Sequence, residues 1–161
     1  MWFPLEPTEI DYIGRSTHRI ENEAVIGAPA DRVFELISSA DHMSSWFHDF
    51  VSCRWTSPAP HGVGSTREVA LKALTVKERF LSWEPGRRLS FCIYAMSLPL
   101  ARHLVEDLQL EAVEPGRTRL RWQVHYTPTL AMRLVHPAAR AVFGRMFRTS
   151  LEQLKRLAEP T

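Results

Sequence analysis

The sequence is poor in cysteine, in glycine and in long apolar runs, and each shortage removes a class of protein. Only Cys53 and Cys92 are present, in no CxxC or zinc-ligand spacing, so no structural zinc site is signalled and a reducing cytoplasm is the expected setting. Charge or proline breaks every apolar stretch well short of the ~18 to 20 residues that a spanning helix needs. No integral membrane association is expected. The opening residues show no basic-then-apolar signal segment, which also points to a cytoplasmic protein. Among the seven glycines there is no complete phosphate-binding loop, since Gly62-Val63-Gly64-Ser65 lacks the third glycine and the lysine. No HExxH pair and no GxSxG elbow occurs. His42 and His48 flank Trp46 without a third ligand in obvious reach, so neither a metal nor a cofactor is expected.

What is there is ordinary globular material, 45% hydrophobic and 24% charged over 161 residues. That is enough for one domain with a real core, burying about 70% of the unfolded chain's surface. A net charge of +2 hides a basic end, where Arg133, Arg140, Arg145, Arg148, Lys155 and Arg156 face only Glu152 and Glu159. A basic helix face meets phosphates or an anionic membrane surface, or is simply the solvated side of an amphipathic helix. No aromatic residues interleave with these charges as single strands would require, so no nucleic-acid partner is expected.

Residues 1–16 read as an irregular N-terminal arm and 17–159 as a single domain. Thr17 to Ile26 alternates weakly as a half-buried strand and ends at Gly27-Ala28-Pro29. Pro29 suits a helix start, Val33, Phe34, Leu36 and Ile37 recur at helical spacing, and a second helical turn spans Asp41 to Trp46. Phe50 to Trp55, Ser65 to Lys72, Thr75 to Trp83, Arg88 to Met96, Arg102 to Val113 and Arg117 to Thr127 read as strands of an antiparallel meander. Two of the turns are Glu-Pro-Gly. From His136-Pro137 onward, Val142, Phe143, Met146, Phe147, Ser150, Leu151, Leu154 and Leu157 share one helical face. Such a helix, about 33 Å long, crosses a whole sheet.

The segments APADRVFELISSADHMSSWF, VKERFLSWEPGRRLSF, EPGRTRLRWQVHYTP and FRTSLEQLKRLAE resemble the polyketide cyclase/dehydrase branch of the SRPBCC (START-like) superfamily. The resemblance covers roughly Thr17 to Glu159. It implies an α+β helix-grip fold of the Bet v 1-like type: a seven-stranded curved antiparallel sheet wrapped around a long C-terminal helix, with two short helices between strands one and two. It implies a fold more than a chemistry, because members variously bind lipids, hormones or aromatic polyketides, cyclise polyketides or assist a chaperone.

Strand alternation then selects an inner face. A tight turn at Glu114 to Arg117 puts Leu104 opposite Tyr126, Glu106 opposite Val124, Leu108 opposite Trp122 and Leu110 opposite Leu120. A tight turn at Glu84 to Arg88 puts Glu78 opposite Tyr94, Phe80 opposite Cys92 and Val76 opposite Met96. Val69 is then expected opposite Glu78, with Arg67 diagonal to it, so that one cation joins two acids. Arg67, Glu78, Tyr94, Glu106 and Tyr126 would form a polar belt in a cavity lined by Met96, Leu104, Trp122, Val124, Phe143, Met146 and Phe147. In the alternative, the charged groups pair only with one another or reach solvent. A bulge would flip a strand, and Phe91 and Ile93 form a competing apolar face.

Three functions follow as expectations. The first is binding or transport of a small hydrophobic molecule (lipid, quinone or polyketide-like) in the cavity. The second is a cyclase or dehydratase with Glu78 and Glu106 as acid and base candidates. The third is an interaction domain resembling the Hsp90-activator relatives, which requires an exposed apolar patch. His103 and His125 fall on the outward parity, and His136 falls where a helix cap would sit. Oligomeric state is open.

Overall fold

The computed structural model describes residues 1–161. A two-residue strand, β1 (Phe3–Pro4), and a 3-10 turn (Ile10–Arg15) precede β2 (His18–Ile26). Two short helices, α1 (Ala30–Ser38) and α2 (Met43–Trp46), come next. Six further strands follow: β3 (Phe50–Trp55), β4 (Thr66–Leu71), β5 (Thr75–Glu84), β6 (Arg88–Met96), β7 (Ala101–Glu114) and β8 (Arg117–Pro128). One helical turn, α3 (Leu130–Arg133), leads into the long α4 (His136–Ala158). The sheet runs β2-β8-β7-β6-β5-β4-β3, antiparallel throughout, with β1 added beside β6.

Local chemistry explains the joints. Gly86 and Gly116 hold φ of +72° and +73° in the two Glu-Pro-Gly turns, a backbone region open to glycine at little cost. At Gly86 a methyl group would also lie 2.7 Å from the Asp31 carboxylate at the start of α1, so that turn is shaped to receive the helix. In α1 the spacing of Val33, Phe34, Leu36 and Ile37 buries one face against the sheet. α4 buries Phe147, Ser150, Leu151, Leu154 and Ala158, all in its C-terminal half. That half is tied down further by Gly27 N–H donating to Glu159 Oε1 at 3.0 Å and by His48 N–H donating to the Ser150 hydroxyl at 2.9 Å. No residue before Phe147 in α4 is fully buried.

The arm before Thr17 is woven into the sheet. Leu5 N–H donates to the Tyr94 carbonyl of β6 and Glu6 N–H to the Arg102 carbonyl of β7, so the arm bridges the two strands where they part, beyond the Cys92–Val105 pair. Leu5 is buried in the main core, and Tyr12 covers Cys92 and Val105 on the outer face.

Candidate functional site

Between the concave face of the sheet and α4 lies a cavity of about 110 Å³ lined by 31 residues, 25 of them hydrophobic, so its few polar groups stand out. The registers decide which those are. β7 and β8 pair as expected from their turn, with Leu104 opposite Tyr126, Glu106 opposite Val124 and Leu108 opposite Trp122. β4 and β5 pair two residues closer to their turn than expected: Val69 faces Val76, and Arg67 lies directly opposite Glu78 instead of diagonal to it. A shift of two preserves the faces, so both still point inward.

One residue of the expected belt is displaced. The β5–β6 register slips between Lys77 and Glu78, giving Val76 opposite Met96 but Glu78 opposite Ile93 and Phe80 opposite Phe91. Tyr94 is the extra residue of this bulge; it stands on the outer face, 36% exposed, and does not line the cavity. Phe91 and Ile93 take the inner positions. Arg67, Glu78, Met96, Leu104, Glu106, Trp122, Val124, Tyr126, Phe143, Met146 and Phe147 all line the cavity.

At the inner end, the Arg67 Nε donates to Glu78 Oε2 and the guanidinium lies over Phe80, 4.9 Å from the ring centroid, with Trp55 and Phe91 also within cation–π reach. Its Nη1 is buried without any hydrogen-bond partner. Glu106, 8% exposed, accepts one hydrogen bond, from Trp122 Nε1 at 2.8 Å. Burial, reinforced by the nearby Glu78 charge, pushes the Glu106 carboxyl up to about 8. Burial also raises Glu78, against the pull of Arg67. At neutral pH Glu106 is therefore largely a protonated acid, able to donate its O–H as well as accept, beside a cation whose Nη1 is free to donate.

Several lining residues were not singled out from sequence. Trp46 and Phe47 pack edge-on against Trp122, which also meets Phe147 at 5.1 Å. His136 opens α4, its Nε2 is 2.7 Å from the Tyr126 hydroxyl, and both line the cavity. Arg140 is the lining residue most open to solvent. Regular alternation of Leu89, Phe91 and Ile93 was the available signal for the inner face of β6. His103 and His125 lie on the outer side, where they meet Thr8 and Ser16 of the arm.

Comparison with known proteins agrees with this architecture. Residues 17–159 match the family model described as polyketide cyclase / dehydrase and lipid transport. An uncharacterised protein of Mycobacterium tuberculosis is 29% identical over 142 residues, spanning 88% of this chain and 81% of the relative. The Zhui aromatase/cyclase from a Streptomyces species superposes with a TM-score of 0.76 at 15% identity, covering 88% of this chain and 93% of that one. A hypothetical protein from Helicobacter pylori superposes with a TM-score of 0.75 at 13% identity, covering 95% of each chain. At these identities the structural likeness is one of fold.

Proposed function

Because this chain belongs to the polyketide cyclase/dehydrase and lipid transport family, we propose that its cavity binds and carries a small hydrophobic molecule bearing an oxygen acceptor. Lipid, quinone and polyketide-like molecules are the ligand classes that fit. The observation that carries this reading is the unpartnered Arg67 Nη1 in an otherwise apolar cavity. A buried donor left without an acceptor costs free energy, and a carbonyl or hydroxyl oxygen arriving there removes the cost. With about 110 Å³ enclosed, the cavity suits a single ring or a slender chain; an engineered cavity of about 150 Å³ holds benzene. A bulkier ligand requires the lightly anchored N-terminal half of α4 to move outward.

The test is native mass spectrometry and solvent extraction of the purified protein, followed by thermal denaturation with fatty acids, quinones and aromatic polyketides. A co-purifying apolar molecule, or stabilisation by one class, supports carriage. An empty protein that no class stabilises contradicts it.

Glu106 supports a second reading. A carboxyl pushed up to about 8 beside a second acid is suited to proton transfer near neutral pH, as a cyclase or dehydratase would need. On that reading Glu106→Gln abolishes turnover of a bound polyketide while the ligand is retained. Binding with no turnover in the unaltered protein favours carriage.

A further inference from the structure

Around the cavity mouth the surface changes character. The lining residues that reach solvent include Leu100, Met132, His136, Ala139 and Arg140, so the mouth lies beneath α3 and the start of α4. This rim exposes large aliphatic side chains: Leu130 is 76% exposed, Leu134 89%, Val135 53% and Val142 66%. Leu98, 41% exposed, joins them from the β6–β7 turn, which Thr129 holds against α3 through its hydroxyl on the Pro99 carbonyl at 2.9 Å and its N–H on the Leu100 carbonyl.

The charges of the rim have one sign. No acidic residue occurs between Glu114 and Glu152, a span that carries Arg133, Arg140, Arg145 and Arg148. On the sheet, Arg117, Arg119 and Arg121 are neutralised by Glu114, Glu111, Glu23 and Glu21. None of the four rim and helix arginines forms an ion pair, although Arg140 donates to the Arg19 carbonyl. Exposed leucines flanked by unpaired arginines complement an anionic bilayer, in which the aliphatic side chains enter the acyl boundary and the guanidinium groups meet lipid phosphates.

We infer that the α3–α4 rim docks this protein peripherally on an anionic lipid membrane, with the cavity mouth facing the bilayer. The inference does not depend on which ligand the cavity takes. It gives an apolar molecule a route between membrane and cavity that avoids bulk water.

Co-sedimentation with vesicles tests it. The protein should bind phosphatidylcholine vesicles containing about 30 mol% phosphatidylglycerol, bind pure phosphatidylcholine vesicles weakly, and be released by about 0.5 M NaCl. Leu130→Ser combined with Leu134→Ser should weaken partitioning at least about tenfold. Arg133→Gln combined with Arg145→Gln should weaken it several-fold and flatten the salt dependence. Val51→Ser, at the far sheet edge and 59% exposed in the unaltered protein, should leave binding unchanged. Circular dichroism melts check that each variant is folded, and ligand stabilisation should survive in the leucine variant, which separates failure of docking from failure of the cavity. Protein that stays in the supernatant with anionic vesicles overturns the inference, as does a folded leucine variant that binds like the unaltered protein. A solution dimer dissolved by the leucine substitutions would also overturn it, assigning the rim to a second copy of this chain.

Discussion

Glu106 and Asp107 are neighbours on β7 that face opposite sides of the sheet, and they keep contrasting company. Asp107, on the convex side and fully buried, accepts from Arg88 Nε at 2.8 Å and Nη2 at 3.1 Å, from the Ser90 hydroxyl and from Gln109 Nε2 at 2.9 Å. Every lone pair that matters has a donor. Glu106, on the concave side, has Trp122 alone. The same sheet thus carries a saturated acid that holds strands together and an undersupplied acid that faces empty space. Burial by itself does not mark a functional group. The shortage of partners does.

Substitutions separate the two roles. Asp107→Ala removes the acceptor of three side chains and should destabilise the fold by about 4 kcal/mol in urea denaturation at neutral pH, without a specific effect on ligand binding. Glu106→Gln replaces a protonated acid with a neutral amide of the same shape and should cost less than about 1 kcal/mol at pH 6. An equal loss in the two variants would erase the distinction.

The contrast also predicts a dependence on pH. Folding raises the Glu106 carboxyl from 4.5 to about 8, so the native state holds that proton more tightly than the unfolded chain. Its contribution to stability is complete below about pH 4.5, declines as pH rises and is lost once pH passes about 8. Unfolding free energies from urea titrations at pH 5 and pH 9 should differ more in the unaltered protein than in Glu106→Gln, by an amount on the order of 3 kcal/mol. Parallel curves would mean that Glu106 ionises normally.

An effect of similar size concerns the inner ion pair. Arg67→Met strands Glu78, itself raised by burial, and should cost about 3 kcal/mol. Adding Glu78→Met should recover most of that loss while ligand stabilisation stays abolished. The smallest effect belongs to the residue that the bulge displaced. Tyr94→Ala, on the outer face and partly buried, should cost about 1 kcal/mol of stability and leave the ligand-induced thermal shift unchanged.

How much of this was legible beforehand depended on how local its causes are. The β7–β8 register follows from the Gly116 turn with a one-residue bulge at Val113 beside it, and the alternation from Leu104 to Leu110 is undisturbed, so Glu106 and Trp122 could be placed from the sequence. The inward faces of Arg67 and Glu78 survived a two-residue error because strand faces repeat every second residue. The bulge at Tyr94 has distant partners. Pro4 pairs with Ala95, Phe3 with Met96, and Leu5 bonds to the Tyr94 carbonyl, so the arm's docking accompanies a register that no pattern within β6 specifies. The size of the cavity and the missing partner of Arg67 Nη1 depend on how side chains from six strands and four helices fill one space. Neither is a property of any single segment.

The most direct test is a titration of side-chain carboxyl carbons by 13C NMR, with and without a ligand from the stabilising class. One glutamate resonance, absent from Glu106→Gln, should titrate near pH 8 and move when the ligand binds. If every carboxyl titrates below about pH 6, the cavity acid is not neutral, and if the Glu106 resonance ignores the ligand, it is not part of a binding site.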